Sequence, residues 1–274
     1  MFSPFGFMGP SAPSPTYDID AQNYFTEVAN QGGTLSIAEK NSINTFYVDM
    51  KSNGLYTQMK GFWLFMGGVE ASHALDGKNP TTGYNLGFAT TGNAWTHSNA
   101  AGSGNIRISG GSGGYARTGI IPWNDLTLGD THFSLYQTNT STDTQYNLAV
   151  QETGMIIGYG NTDFYALFDG TSYSPYTAPS NQGFYIANSN GTNQQNGWRN
   201  GSKVINTTKT NQWYSPANGD LVLNAKSISP TTQTEYCSAT YTFMSIGDGL
   251  TDADAGTFTT LVNTLQTSLS RNTY

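Results

Sequence analysis

Between about Gly67 and Gly247 the chain is cut by Gly, Asn and Pro into short aromatic or β-branched runs, and this punctuation constrains the fold more than any other feature. The runs include "NIRIS", "THFSLYQT", "YNLAVQ", "MIIGYG", "DFYALFDG", "QGFYIANS", "NGWRNGSKVI", "DLVLNAKS" and "YCSATYTFMSIG". Their spacing, roughly 10 to 15 residues with turn formers between, predicts an antiparallel β-sandwich or jelly roll instead of βαβ units. No exact internal repeat is visible, so a solenoid or propeller is not expected.

The two ends of the chain read differently. Ser36 with Glu39 three residues on is a capping box, and Ile43, Phe46, Tyr47 and Met50 then recur at helical spacing up to Asn53-Gly54, a left-handed stop. A helix over about 37–52 follows. Asp18 or Asp20 can cap a shorter helix carrying Tyr24, Phe25 and Val28, and Tyr56 to Lys60 can add a further turn. Near the other end, Thr251 with Asp254 is a second capping box. Phe258, Leu261, Val262, Leu265 and Leu269 form one apolar stripe that needs a partner surface. The simplest partner is the flank of the sandwich beside the N-terminal helices. The expected organisation is an aromatic, Pro-rich arm (1–16), a helical lead-in (17–66), a β-sandwich (67–247) and a C-terminal helix packed on it (248–274).

Composition then excludes several functions. Charged residues make up 11% of the 274, against about 25% in an average domain. The net charge of -7 comes with no basic cluster, so nucleic acid is not an expected partner. Cys237 is the only cysteine, which rules out an intramolecular disulfide and any Cys-rich metal site. The first fifteen residues, "MFSPFGFMGPSAPSP", lack a basic start and contain four prolines, so neither a signal peptide nor a membrane helix is expected there. Phe2, Phe5, Phe7 and Met8 in that stretch cannot build a core of their own. They are either a disordered tail or a peptide that docks into a partner.

Motifs for catalysis are missing. Many sandwich-fold glycanases carry strand acids two residues apart. The five glutamates, Glu27, Glu39, Glu70, Glu152 and Glu235, have no acid at that spacing, so a glycoside hydrolase of this type is not expected. His73, His97 and His132 show no regular spacing and read as structural histidines, and Cys237 reads as a buried strand residue. "GSGNIRISGGSGGYARTG" is a flexible loop or a hairpin of short strands, because it lacks the Lys-Ser/Thr of a phosphate loop. Asp248, Asp252 and Asp254 resemble a calcium loop superficially, but helix capping explains them better and no calcium ligands can be assigned. No catalytic residue, metal ligand or cofactor is expected. The four Asn-X-Ser/Thr sites, at Asn139, Asn190, Asn200 and Asn206, are no more than this composition produces by chance.

What remains is recognition. Aromatic rings beside amides can bind sugars by stacking and by bonding hydroxyl groups. Trp95, Tyr115, Tyr173, Tyr176, Trp198 and Trp213 are the candidate glycan-binding residues, with Trp123 and Tyr214 beside them. The competing reading for each is a place in the core or in a subunit interface.

Several stretches resemble a known family. "FYIANSNGTNQQNGWRNGSKVI" is similar to consecutive strands of laminin-G-like, concanavalin A-like lectin/glucanase jelly-roll domains. "YTFMSIGDGLTDADAGTFTTLVNTLQTSLSR" resembles the end of such domains in bacteriophage virion proteins, where the last strand leads through Ile-Gly-x-Gly-Leu-Thr-Asp into a capped helix. "YDIDAQNYFTEVANQGGTLSIAEKNSINTFYVDMKSNGLYTQMKGFWLFMGG" is similar to their helical lead-in, and "WTHSNAAGSGN" also fits. The resemblance covers about residues 17–272. It implies a virion structural protein (head decoration, fibre or tail component) assembled in the host cytoplasm, with capsid, portal or tail proteins as partners and a homo-oligomeric arrangement. No catalytic residue carries over. The alternative is a carbohydrate-binding module that is itself the adhesin for a host surface glycan. Neither reading calls for a membrane.

Overall fold

The computed structural model describes residues 16–90, 95–98, 105–108, 113–140, 146–151, 153–159, 162–168, 175–208, 210 and 219–274. The chain opens with helices α1 (Ile19–Asn30), α2 (Ile37–Ser52) and α3 (Leu55–Gln58), then strand β1 (Met59–Trp63) and the short helix α4 (Glu70–His73). Four strands follow, β2 (Gly87–Thr90), β3 (Trp95–Ser98), β4 (Asn105–Ile108) and β5 (Gly114–Arg117), and then one helical turn, α5 (Pro122–Asp125). Next come β6 (Asp130–Gln137), β7 (Tyr146–Val150), β8 (Thr153–Tyr159), β9 (Asp163–Leu167) and β10 (Tyr176–Thr177). The remaining strands are β11 (Gly183–Asn190), β12 (Gln194–Arg199), β13 (Ser202–Thr208), β14 (Val222–Leu223), β15 (Lys226–Ser229), β16 (Thr232–Thr234) and β17 (Thr240–Gly247), and α6 (Asp252–Ser268) closes the fold.

Among the described residues the strands form two sheets. The first runs β13-β12-β11-β6-β17-β4-β3, with β1 also paired to β17, and the second runs β10-β9-β8-β7-β14-β5-β2, with β15 and β16 attached beside β7. All pairings are antiparallel except a two-residue contact of β15 with β7. The expected antiparallel sandwich is therefore the fold.

The central strands of the first sheet, β6, β11 and β17, are buried on both faces, and their alternation feeds two cores. On β6, Phe133 and Leu135 enter the core between the sheets, where they meet Leu148, Ile157, Phe168 and Leu223 from the second sheet. Tyr136, from the opposite face of the same strand, joins a second core with Phe184, Ile186 and Phe243 from the neighbouring strands and with the three long helices. The helices cover this outer face through Tyr24, Phe25 and Val28 of α1, Phe46, Tyr47 and Met50 of α2, and Phe258, Val262 and Leu265 of α6. At its centre Phe258 meets Phe184 and Phe243 edge-on, with ring centroids 5.6 and 5.9 Å apart. The result is three layers: sheet, sheet and helices.

Local chemistry sets the helix ends as read from the sequence. Ser36 and Glu39 bond each other's backbone N–H groups at the start of α2, and Thr251 and Asp254 do the same at the start of α6. Asp18 caps α1 by accepting from Asp20 N at 3.0 Å. Gly54, at φ +73°, takes the left-handed position after α2. Two expectations are corrected. The helical turn after Gly54 ends at Gln58, and the chain enters β1 at Met59, inside the stretch read as helical. The Gly-rich stretch 102–119 does supply two strands, but β4 belongs to the first sheet and β5 to the second, so they do not make a hairpin. The motif that carries the family resemblance is a joint between β17 and α6. Asn188 accepts from Leu250 N at 2.7 Å and donates to Leu250 O at 2.9 Å, and a side chain at Gly247 or Gly249 would collide with neighbouring backbone.

Leu265 is 2% exposed, whereas Leu261 only packs against the edge of the same core. Leu265→Asp should therefore cost about 4 kcal/mol, by burying an unpaired charge, and Leu261→Asp about half as much. Equal small losses in chemical denaturation would show that the α6 stripe is not packed in this way.

Candidate functional site

A cleft of about 1080 Å³ lies between α1 and the loop of residues 76–84, and Tyr56 and Lys60 also line it. One wall follows from helical spacing. While Ala21, Tyr24, Phe25 and Val28 of α1 are buried, Asp20, Asn23, Thr26, Glu27 and Asn30 fall on the opposite face and line the cleft.

The other wall is a loop without regular structure, organised by one carboxylate. Asp76 is 1% exposed and accepts from three backbone N–H groups, with Oδ1 taking Phe62 N (3.2 Å) and Lys78 N (2.9 Å) and Oδ2 taking Tyr84 N (3.2 Å). Asn85 accepts from Asp76 N at 2.7 Å and donates to Pro80 O at 2.9 Å, which closes the loop from its far end. Gly83 is required here, because a Cβ would strike the Asn79 carbonyl oxygen and the Asp76 carboxylate. Asn79, Thr81 and Thr82 are thereby held at the rim.

Tyr56 lies under two cations, with Lys51 Nζ at 5.0 Å and Lys78 Nζ at 5.7 Å from its ring centroid, and its hydroxyl donates to Lys78 O at 3.2 Å. Lys51 also pairs with Asp18 at 2.7 Å and Asp20 at 2.6 Å. Burial works against charge on Lys51, yet the two carboxylates outweigh it and hold the amine above its ordinary range. Burial lowers Lys78 and raises the Asp76 carboxyl, whose three N–H donors oppose the shift. Hydrogen bonds from Gln31 and Asn30 hold Glu27 below the usual carboxylate range. Each carboxylate of the cleft is thus already engaged. The lining as a whole offers amides, hydroxyls, both signs of charge and two aromatic residues, Tyr56 and Tyr84.

Of the residues expected to bind glycan, the four that are described, Trp95, Tyr115, Tyr176 and Trp198, do not line this cleft and lie on four different strands. Trp95 on β3 is 7% exposed, and its Nε1 donates to Ala89 O at 3.2 Å. Trp198 on β12 is 2% exposed within the helix-side core, with Lys203 Nζ 5.1 Å from its ring centroid. Tyr115 on β5 is half-buried against Tyr236, and Tyr176 on β10 is half-buried against the core between the sheets. These four strands lie toward opposite edges of two sheets. Trp123, on α5, is 52% exposed. Tyr173, Trp213, Tyr214, Glu152 and the arm residues Phe2, Phe5, Phe7 and Met8 lie outside the described residues. The sequence reading missed Tyr56 and Tyr84 as cleft residues. The usable signal was the run of turn formers and amides in "DGKNPTTGYN" beside a helix whose outer face carries Asp20, Asn23, Thr26, Glu27 and Asn30.

Two other constellations look catalytic and are sealed. His132 Nδ1 donates to Asp248 O at 2.6 Å, so its Nε2 accepts from Ser245 at 3.0 Å, and Ser245 accepts from Ser134 at 2.6 Å. All three side chains are fully buried, and burial holds the imidazole neutral, with its pKa lowered to about 4. Cys237 sits between the sheets, where its thiol donates to Asn224 Oδ1 at 2.9 Å beside Tyr241 and Asn147. Neither group is reachable by a substrate. Among the described residues no cluster of three metal-ligating side chains forms, and no helix is long and apolar enough to cross a membrane.

The fold and cleft define an antiparallel β-sandwich backed by a helical layer, and comparison with known proteins places that architecture. No known family model matches the sequence, and no curated protein matches it. A Trypanosoma rangeli sialidase mutant displaying trans-sialidase activity aligns with a TM-score of 0.50 and 12% identity, over 84% of this chain and 40% of that one. The binding domain of botulinum neurotoxin serotype D aligns with a TM-score of 0.50 and 12% identity, over 77% of this chain and 52% of that one. Domain 4 of a GH43 extracellular arabinanase from Geobacillus stearothermophilus, solved with arabinotriose, aligns with a TM-score of 0.46 and 12% identity, over 73% of this chain and 97% of that one. The chain spans about half the neurotoxin domain and less of the sialidase. At 12% identity the sialidase and neurotoxin alignments show the fold alone, a jelly-roll β-sandwich.

Asp76→Ala should destabilise the protein by at least about 2 kcal/mol, because it leaves the N–H groups of Phe62, Lys78 and Tyr84 without their buried acceptor. Urea denaturation measures this, and a neutral result would mean that the loop is held by something else.

Proposed function

We propose that this chain is a glycan-binding β-sandwich that serves as a host-adhesion module on a bacteriophage virion. The cleft between α1 and residues 76–84 carries the binding part of this reading. Its amides and hydroxyls suit a ligand rich in hydroxyl groups, and Tyr56 and Tyr84 supply aromatic surface beside them. The protein acts by binding and not by catalysis. In support, Asp20 is committed to Lys51, Glu27 to Asn30 and Gln31, and Asp76 to the loop backbone, so no pair of free carboxylates faces the cleft.

The virion setting rests on the resemblance of the lead-in helices and of the joint after β17 to phage virion proteins. In this setting the aromatic arm is the anchor to a capsid, portal or tail partner. Repeated copies then turn a weak single-site contact into useful avidity.

Asn23 is exposed and has no structural bond to lose, and Lys60 reaches the same cleft. On an array of neutral and acidic bacterial oligosaccharides, Asn23→Ala and Lys60→Ala should each weaken binding about tenfold while leaving the melting temperature unchanged. Binding that survives both substitutions places the site elsewhere. Deleting residues 1–15 should leave the sandwich folded and keep it out of assembled particles. Normal incorporation of the shortened chain would remove the anchoring role.

A further inference from the structure

We propose that the contact between His73 and His97 is an acid-released latch that ties α4 to the edge strand β3. The two residues are 24 positions apart, and their Nδ1 atoms lie 3.0 Å from each other.

The surrounding bonds fix where each proton sits. Gly68 N–H donates to His73 Nε2 at 3.3 Å, so that nitrogen carries a lone pair and the ring's proton is on Nδ1. His73 Nδ1–H therefore donates to His97 Nδ1, and the proton of His97 is on Nε2. That atom is 3.4 Å from Glu70 Oε2, at an angle too poor for a hydrogen bond. The contact thus requires two neutral rings in opposite tautomers.

A further proton breaks the arrangement wherever it is added. On His73 Nε2 it would face the Gly68 N–H, donor against donor. On His97 Nδ1 it would force His73 into its other tautomer, with the same collision at Gly68. Only the neutral pair keeps every contact. His73 is fully buried, and the charged or titratable groups facing the pair are Glu70 on α4 and Arg271 from the tail after α6. Phe65, after β1, and Phe88, on β2, close the remaining sides with edge-on rings at 6.5 Å from His73 and 5.0 Å from His97. Burial first, then the neighbouring ring and Arg271, lower His73 to about 3, and burial lowers His97 despite Glu70.

The sign of the pH effect follows. Released imidazoles take up a proton near pH 6.5. The latched pair takes it up only at lower pH, so the latch is at full strength above about 6.5 and weakens as pH falls below it. Each bound proton favours the open form by about tenfold per pH unit. Among the described residues β3 ends its sheet and pairs with β4 alone, so the latch adds to the hold that Trp95 gives the strand by packing into the core between the sheets. This inference is independent of the glycan reading.

The test is NMR on the full-length, 15N-labelled protein. Imidazole spectra near neutral pH should show His73 protonated on Nδ1 and His97 on Nε2. Amide exchange between about pH 7.5 and 5, corrected for intrinsic rates, should show opening of β3 rising at least about tenfold per pH unit below about 6.5, the slope of one bound proton. The central strand β6, which carries His132, reports global opening and should lag behind. His97→Phe, which keeps a ring against Phe88, should flatten the β3 profile. Other tautomers, a flat wild-type profile, or an unchanged slope in the variant would each overturn the latch. If the variant does not fold, the two wild-type measurements decide.

Discussion

The whole structure depends on the centre of one sheet being dry on both sides. Strands β6, β11 and β17 send alternate side chains into two cores, so Phe133 and Leu135 stabilise the sandwich while Tyr136, on the same strand, anchors the helices. Loss of the helical layer would expose that second set of aromatic side chains to water, so the terminal helices and the sandwich form one cooperative unit. Double burial also leaves polar positions that must be satisfied internally. His132, Ser134 and Ser245 do this for one another, and Asn188 does it for the backbone of Leu250.

The functional geometry follows from the same layering. Because α1 is fixed by its apolar face, its polar face is presented outward at a set angle and needs only an opposing wall to become a cleft. The Asp76-centred loop is that wall, and it stays in place through bonds to its own backbone and to β1. The cleft therefore lies at the border of the helical layer, and Trp95, Tyr115, Tyr176 and Trp198 are not part of it.

What the sequence revealed and what it hid divide along physical lines. Local signals were legible: the capping boxes at Ser36 and Thr251, the glycine stop after α2 and the stripe on α6 depend on residues a few positions apart. The antiparallel sandwich was legible from turn spacing. The run from Phe62 to Met66 was not read as leading out of a strand, because a segment buried on both sides loses the polar alternation that marks one. The meeting of His73 with His97 left no trace in spacing, since packing between α4 and β3 creates it. Trp95 and Trp198 looked like binding residues because an aromatic residue in a Gly- and Asn-rich strand reads the same whether its ring faces solvent or a core.

The network around Cys237 has a practical consequence. Its thiol is enclosed with Asn147, Asn224 and Tyr241 between the two sheets, at 2% exposure. A soluble alkylating reagent can reach it only after the layers part. The lone thiol is therefore a native stopwatch for separation of the sandwich, one that needs no introduced label and stays silent to fraying at the periphery.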